Sequence, residues 1–513
     1  MKSRFTAGYI YGRIGRGFKG ARADISETAE DTTLAIKSAL GFGLKFNYGV
    51  GQAAEGLKNG AMGSFLLFYY SQVLGMSPGL AAIGIGTAVI VDAFTDPLAG
   101  SMSDNWRSAL GRRHPFMYAS AIPLAVTFYL LFNPLVDGEI ALFIWMVVFT
   151  NLARTAMTLY HIPHLALGAE LSEDYDERSS VIGFRIFFGT FGGLLAVFIG
   201  FGIFFEPTSE YANGQLNSAA YPPFAAFLAL LMAVTIFWSA WGTRRAIPFL
   251  PKITQASTLS ISGVIRRMVM DVIAALRCGS FRWLFLGVLI LFVIIGVDGA
   301  LNVYMYTYYW ELTRPEILTL APAYAGGVML GSFFSPWLLR KFGKKPMLLF
   351  GTASWAGWQA IPIVLRMMDW LPVNGDELLV PMLLVMRVIQ GACTVQSNVA
   401  YGAMLTDSID EHELDTGKRQ EGIFFAASSF SAKAPVGLGN IIAGFGLEFI
   451  AWPTGSEIRT AADVPPETIV NLGILFGPFV ALFGLICIWC YSHYTLTRER
   501  HQEMLDELNR RRA

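Results

Sequence analysis

Two carboxylates inside an apolar segment are the first sign of chemistry in this chain. Asp92 and Asp96 are four residues apart, so on a helix they lie on one face. Two carboxylates one helical turn apart in a low dielectric cannot both stay ionised without a counter-charge. A Na⁺ ion, a proton or Lys433 could supply that charge, and competition among them would couple ion binding to a change of conformation. Acids deep in an apolar helix, followed by a basic turn with Arg112 and Arg113, indicate a membrane transporter with a cation site.

Further ionisable and hydroxyl side chains fall at a similar depth. Counted at about 1.5 Å per residue from the predicted helix ends, ionisable groups on four apolar segments come near the middle of a hydrocarbon layer about 30 Å thick. Because such groups are costly in lipid, we expect them to face the interior of the bundle. The predicted cation-binding residues are Asp92, Asp96, Thr95 and Thr158, with Asp92 and Asp96 as metal ligands if the ion is Na⁺. The predicted substrate-binding residues are Glu55, Arg154, His161, Arg185 and Lys433.

Each of these assignments has a structural alternative. The two acids could be held by Lys433 or by hydrogen bonds between helices. His161 could be a packing histidine that contacts neither a substrate nor a transferred proton. Arg154 and Arg185 could each pair with a helix end or with Glu55 instead of binding cargo.

Long apolar helices must position these residues. The chain has 513 residues, of which 54% are hydrophobic and 15% are charged, whereas an ordinary soluble protein is about 25% charged. Stretches near the roughly 20 residues that span a membrane recur along the sequence. The predicted spans are 45–71, 77–103, 115–135, 139–170, 178–205, 222–242, 281–311, 315–340, 346–368, 377–406, 420–450 and 467–492. We therefore predict an all-α membrane protein with twelve transmembrane helices.

The two halves of the sequence echo each other. The Gly-Ser and Gly-Arg-Arg-x-Pro motifs of 100–115 recur as Gly-Ser and Gly-Lys-Lys-Pro in 331–346, and Gly-Ala-x-Leu-Ser at 168–172 recurs at 402–406 with Thr as its last residue. Two parallel six-helix halves describe the major facilitator fold. The predicted divisions are a cytoplasmic N-terminal extension at 1–41, a six-helix bundle at 42–242, a cytoplasmic linker at 243–280, a second bundle at 281–492 and a cytoplasmic tail at 493–513.

Positive charge is concentrated in alternate loops. The turns after the second and eighth predicted spans, the linker and the tail are rich in Lys and Arg, whereas 206–221 has none and 451–466 has only Arg459. The positive-inside rule therefore places both termini in the cytoplasm, for a multi-pass protein of the inner (plasma) membrane. Linker residues 262–273 are predicted to form an amphipathic helix, either on the inner leaflet or as a packed connector.

Two surface features are assigned to the cytoplasmic side. The acidic segment Asp407–Glu413 is predicted to be a solvated loop that exchanges ion pairs with the basic turns. The predicted gate residues are Trp106, Arg112 and Arg113.

Several classes of function are disfavoured. The net charge is zero, so a nucleic-acid partner has no electrostatic support. The sequence shows no nucleotide-binding loop, metal cluster or nucleophile triad, so we expect neither an enzyme nor an ATP-driven pump. We expect a monomer whose partners are the lipid bilayer and a small-molecule substrate, with no cofactor besides a coupling ion, Na⁺ or H⁺.

Several of these motifs together resemble one transporter family. Asp92-Ala93-(x)2-Asp96-Pro97-(x)2-Gly100, the Gly-Arg-Arg-x-Pro turn, Ile162-Pro163, Arg185-x-Phe187-Phe188 and Lys433 are similar to the glycoside-pentoside-hexuronide:cation symporters of the major facilitator superfamily, from about residue 42 to 492. The resemblance implies alternating access driven by Na⁺ or H⁺, with a sugar or glycoside as the default cargo. It implies that Asp92, Asp96 and Thr158 bind the cation, that Lys433 lies beside them, and that Arg185 contributes to the sugar site.

The chain also departs from that family's pattern. His161 stands where a well-known sugar-transporting member of the family has an aspartate, and Leu165 stands where that member has an aromatic residue. An imidazole in place of a carboxylate makes proton coupling more plausible. The alternatives are a symporter for a lysophospholipid or another amphiphile and, from another class, a non-transporting membrane sensor or scaffold.

Overall fold

A computed structural model describes residues 40–172, 174–250, 261–417, 420–455 and 458–512. Nearly all of the predicted N-terminal extension, and residues 251–260 of the linker, lie outside these ranges. Within the described part, every regular element is a helix, which confirms the all-α class.

α-Helices make up most of the described chain. They are α1 Phe42–Ala61, α2 Pro78–Asn105, α3 His114–Leu131, α4 Glu139–Glu170, α5 Tyr175–Ile199, α6 Tyr221–Thr243, α7 Ile261–Leu276, α8 Gly279–Tyr304, α9 Arg314–Leu320, α10 Ala323–Phe342, α11 Lys344–Met367, α12 Leu379–Thr416, α13 Glu421–Phe449, α14 Pro466–Ile474, α15 Val480–Ser492 and α16 Arg498–Arg512. Wider π-helical turns extend α1, α5, α8 and α14; they are Met62–Leu66, Tyr69–Val73, Gly200–Phe204, Met305–Tyr309 and Leu475–Phe479. Short 3₁₀ turns occur at Gly214–Leu216, Ser218–Ala220, Arg244–Phe249 and Ala461–Asp463.

Over the described residues, 10 helical segments are long and apolar enough to cross a membrane. They coincide with all the predicted spans except the first and the eleventh. At the first position, α1 carries Lys45, Glu55 and Lys58, which lower its hydropathy. At the eleventh, only Pro435–Phe449 of α13 forms an apolar helix, and it is shorter. The membrane class agrees with the sequence, while the count of twelve spans stays a prediction.

One predicted loop is helical. The tenth span was predicted to end at residue 406, but α12 continues to Thr416, where Gly417 ends it with a φ of 69°. The prediction that Asp407–Glu413 is a solvated loop is therefore wrong. Asp407 is buried, and the Lys344 ammonium lies 2.7 Å from its Oδ2. This ion pair neutralises the carboxylate, so Asp407 does not need the contact with water that the sequence suggested. The predicted contact with a basic turn is present.

Small residues allow the helices of the bundle to approach closely. A Cβ on Gly56 of α1 would meet the backbone of Gly189 and Gly193 in α5. A Cβ on Gly444 of α13 would meet Pro78 O and the side chain of Ala82 in α2. Apolar burial drives helices together only weakly in lipid, so close backbone packing of this kind supplies much of the attraction.

One end of the bundle is bridged between the first and second halves. Near the loops that join α5 to α6 and α13 to α14, Gln215 Nε2 donates to Thr307 Oγ1 at 2.9 Å, and Trp452 Nε1 donates to Gln72 Oε1 at 2.8 Å. We call this the closed end. At the opposite end, the ion pairs recorded for the described residues join partners within one half, as Lys344 does with Asp407.

Candidate functional site

A cavity of about 310 Å³ lies between the two halves. Helices α1, α2 and α4 line it from the first half, and α13 contributes Val436, Gly437 and Asn440 from the second. Its ionisable side chains are Glu55, Lys58, Asp92, Asp96, Arg154 and His161. Five of these six were predicted from sequence as site residues, and the structure brings them together.

Prolines loosen the helices beside the site. Pro97 follows Asp96 directly in α2, and Pro163 lies two residues after His161 in α4. A proline has no amide hydrogen, so each leaves the carbonyl four residues earlier without its usual helical partner. In both helices a backbone donor is therefore missing within two residues of a side chain that lines the cavity.

Asp92 is paired with an arginine from α4. Arg154 Nε donates to Asp92 Oδ2 at 2.9 Å, and Nη2 bonds the same oxygen. Asp92 Oδ1 is buried and has no hydrogen-bond partner among the described residues. The sequence alternatives paired Arg154 with a helix end or with Glu55, and the structure pairs it with Asp92 instead. The guanidinium thus supplies a counter-charge for this carboxylate.

Asp96 has a hydroxyl partner on α4. Thr158 Oγ1 donates to Asp96 Oδ1 at 2.8 Å. The hydroxyl of Thr95 is buried without a partner in the described part of the chain, and Thr95 does not belong to the described lining of the cavity. Asp96 and Thr158 thus contact each other directly, and the cation-binding role of Asp96, Thr158 and Thr95 stays a prediction. The described residues contain no group of three or more His, Cys, Asp or Glu side chains placed to hold a metal ion.

His161 and Glu55 form a second pair across the cavity. His161 Nδ1 lies 2.9 Å from Glu55 Oε2, and Gln52 Nε2 bonds the same oxygen. The His161 side chain is only 8% exposed. The contact is an ion pair when the imidazole is protonated. The packing alternative describes the neighbouring histidine better, because His164 is stacked on Tyr48 with ring centroids 4.3 Å apart.

Two other predicted substrate residues lie differently. Arg185 of α5 is beside the Tyr48 hydroxyl and is not among the described residues that line the cavity. Lys433 lies on α13, one helical turn before the cavity residues of that helix, and its side chain is outside the described residues. Their roles stay predictions.

Sequence reasoning missed Lys58, Asn59 and Asn440. Lys58 is 6% exposed although it is charged. It is three residues after Glu55, a spacing that puts both on one helical face and could have found it. No comparable signal marks Asn440, because it comes to the site from the other half of the chain.

The predicted gate residues tie together the helix ends of the first half. Arg112 Nη2 and Arg113 Nη2 reach Glu170 Oε1 at 2.8 Å and 2.7 Å, and Arg113 Nη1 donates to Ser103 Oγ at 2.7 Å. Trp106 is about half exposed and packs edge-on against a phenylalanine ring. A network of this kind stiffens one half, and the gate function stays a prediction.

Comparison with known proteins identifies the family. Residues 47–498 match the family described as MFS/sugar transport protein. The chain belongs to this family. The resemblance to cation symporters of the major facilitator superfamily is thus confirmed, and the chain is a multi-pass membrane transporter and not an enzyme.

Relatives of the chain are named as symporters. It is similar to the inner membrane symporter YicJ of Escherichia coli, at 21% identity over 90% of this chain and 94% of that protein. The isoprimeverose transporter of Lactiplantibacillus pentosus is 23% identical over 91% of both chains. The sodium-dependent lysophosphatidylcholine symporter 1 of Mus musculus is 25% identical over 91% of this chain and 88% of that protein.

Solved structures share the fold. The nucleoside transporter NupG has a TM-score of 0.58 at 13% identity and covers 88% of this chain and 100% of that chain. A bacterial homologue of the lysosomal transporter Spinster has a TM-score of 0.55 at 13% identity, with 89% and 98% covered. These similarities concern the architecture alone.

Proposed function

We propose that the chain is a cation-coupled symporter that moves a sugar or glycoside by alternating access. The observation that carries the proposal is the cavity between the halves, in which Asp92 and Asp96 face arginine, threonine and histidine side chains. Ionisable residues at such a depth are expensive and are kept for ion or substrate pathways. Named relatives such as the isoprimeverose transporter and the putative glycoside/cation symporter YagG of Escherichia coli favour a sugar-class cargo.

The coupling ion, Na⁺ or H⁺, is assigned to Asp92 and Asp96. Thr158 holds the second carboxylate in place and adds a hydroxyl oxygen, a ligand type that Na⁺ accepts. A proton would act on the same carboxylates by neutralising one of them. In both cases the bound ion reduces the net charge that the site carries, in a low-dielectric environment, while the protein changes conformation.

The cargo is assigned to the remaining polar lining. Glu55, Lys58, Asn59, His161 and Asn440 offer charged and amide groups that can exchange hydrogen bonds with sugar hydroxyls. A cavity of about 310 Å³ is at the small end of ligand pockets, which suits a compact polar solute better than a long acyl chain.

The proposal includes the orientation of the protein in the membrane, its division into two halves and its oligomeric state. The halves are 42–242 and 281–492, the basic turns and both termini face the cytoplasm, and the protein works as a monomer in the inner membrane. The closed end then faces outward, and the conformation described is open toward the cytoplasm.

Uptake into vesicles tests the function. The purified chain is reconstituted and offered labelled monosaccharides, disaccharides, hexuronides and a lysophospholipid under an imposed Na⁺ or H⁺ gradient. We expect sugar or glycoside uptake that follows one gradient and is lost in D96N but kept in D415N, which changes an exposed acid at the end of α12. Gradient-independent uptake would reject symport, and uptake of the lysophospholipid alone would replace the cargo class.

A further inference from the structure

The Asp92–Arg154 pair differs from the other charged pair described for the cavity, that of His161 with Glu55. Arg154 carries a permanent charge, and its recorded hydrogen bonds all go to Asp92. The two side chains are 23% and 16% exposed, so neither is well solvated. A guanidinium on this carboxylate occupies the place where a coupling cation would have to act.

The second half of the chain contains an arginine for comparison. Arg387 of α12 follows Arg154 by nearly the same number of residues that separates the repeated turn motifs of the two halves. It is also 20% exposed and lies near a carboxylate, that of Asp298, at 3.9 Å. The two arginines are therefore equivalent in position and burial.

Their surroundings are not equivalent. Asp298 accepts hydrogen bonds from Gln359 Nε2 at 2.7 Å and from Asn302 Nδ2 at 3.0 Å, one on each oxygen. Arg387 in turn donates to Gln390 Oε1 at 2.9 Å. In that network the carboxylate is satisfied by amides and does not depend on its arginine, whereas Asp92 has Arg154 and one oxygen without a described partner. The pair in the first half is thus the one that can be exchanged.

We propose that Arg154 is an exchangeable counter-ion: the coupling cation displaces its guanidinium from Asp92, and the freed guanidinium binds an acceptor oxygen of the cargo. The inference rests on the proposed symport function. A buried guanidinium without a carboxylate is costly, so cargo with a carboxylate, a phosphate or paired hydroxyls restores its hydrogen bonds. Cation and cargo then bind in order, which links the two without direct contact between them.

Cation binding without cargo tests the first step. Na⁺ is titrated calorimetrically into the purified chain in nanodiscs at constant ionic strength, and protons are titrated in parallel. Because R154Q removes a positive charge that contacts Asp92 and repels an added cation, we expect R154Q to bind the ion at least about tenfold more tightly than the wild type. R154K should stay within about threefold, and the matched control R387Q should be unchanged.

A second variant, R154A, tests the exchange independently in case R154Q does not fold. R154A leaves room for a free guanidinium ion, and millimolar guanidinium should restore competition with Na⁺ in R154A while it leaves R387Q unaffected. With the ion at saturation, R154Q should raise the KM for cargo about tenfold and change kcat less, because the lost hydrogen bonds are made on binding.

The outcomes separate the inference from the function on which it rests. If the wild type binds an ion and R154Q binds it equally or more weakly, the exchange is wrong and cation-coupled symport stands. If the wild type binds neither Na⁺ nor protons at these carboxylates, the proposed function fails and the exchange fails with it.

Discussion

Three carboxylates share one cavity, and each has a partner of a different kind. Asp92 contacts a permanent cation, Asp96 contacts a hydroxyl, and Glu55 contacts an imidazole. The Thr158 hydroxyl stabilises the Asp96 carboxylate without cancelling its charge. The chemistry of the partners thus distinguishes Asp92 from Asp96, which the sequence presents as one pair of cation ligands.

The hydroxyl of Thr158 should strengthen the binding of the coupling cation. T158V keeps the volume and removes the donor to Asp96, and a lost hydrogen bond to a charged group costs about 1.5–3 kcal/mol. We expect the cation concentration for half-maximal uptake to rise at least about tenfold in T158V and to stay near the wild-type value in T158S.

Thr150 provides the matched control on the same helix. It is fully buried in α4, lies outside the described lining of the cavity, and its hydroxyl has no partner among the described residues. T150V should leave cation dependence unchanged. Equal cation dependence in T158V and T150V would remove Thr158 from the ion site.

The contact between His161 and Glu55 should contribute to cargo binding. His161 Nδ1 lies 2.9 Å from Glu55 Oε2 in the lining of the cavity, so the imidazole helps to hold this carboxylate in position for cargo hydroxyls. A lost hydrogen bond to a charged group costs about 1.5–3 kcal/mol, so we expect H161A to raise the KM for cargo at saturating cation about tenfold. H493A, which changes an exposed histidine stacked on Trp283, should leave the KM unchanged. An unaltered KM in H161A would contradict the role.

The site could be predicted from sequence only in part. Intramembrane charge is rare enough that Asp92, Asp96 and His161 stand out in an apolar chain, and helical spacing puts the two acids on one face. The partner of Arg154 could not be predicted, because it depends on how far α2 lies from α4. Distances between helices follow from packing and are not encoded in the spacing within one helix.

At the scale of elements, α2 and α13 carry the contact between the halves beside the cavity. Gly444 packs on α2 at Pro78 and Ala82, and Gly437 packs on Val89. The glycines let the two backbones approach at the closed end, while Asp92 and Asp96 extend from the same helix into the cavity. A change in the packing of α2 on α13 is therefore transmitted directly to the cation site.

A side chain at Gly444 should obstruct this contact. G444V places two methyl groups against Pro78 O and Ala82, neither of which can move without shifting the backbone of α2. We expect the maximal uptake rate to fall at least about tenfold, because overpacking costs about 1–3 kcal/mol in a conformation that the cycle must visit.

The control for G444V is a helical glycine with space around it. Gly357 of α11 has nothing within 4 Å of an added Cβ, so G357V should keep near-normal uptake. Comparable losses in the two variants would mean that the α2–α13 contact has no special role.

Helix positions were largely predictable, and their ends were not. Apolar runs locate the helices to within a few residues because the bilayer fixes their length. The end of α12 was missed because an acidic segment looks the same in a loop as in a helix whose Asp407 is paired with Lys344. The π-helical turns that extend α1, α5, α8 and α14 had no sequence signal that we recognised.

For the whole molecule, the repeated turn motifs predicted two halves but not their relative position. Either end of a two-half transporter can be closed, since the same chain must visit both conformations. Bridges at the closed end, such as the bond from Trp452 to Gln72, are contacts of one conformation. They must break in every cycle if the cavity is to open on both sides.

A disulfide across the closed end tests whether this end must open during transport. A Cβ on Gly75 would lie 3.5 Å from Gly455 Cα, whereas a Cβ on Gly455 would meet nothing within 4 Å, so two cysteines there would be close and would need a small backbone movement to bond. Oxidised G75C/G455C should lose at least about nine-tenths of its uptake and recover it on reduction. Both glycines have positive φ, so the single variants report the strain of a side chain there and should transport in both redox states. Normal uptake by the crosslinked chain would mean that transport does not require this end to open, which would contradict alternating access.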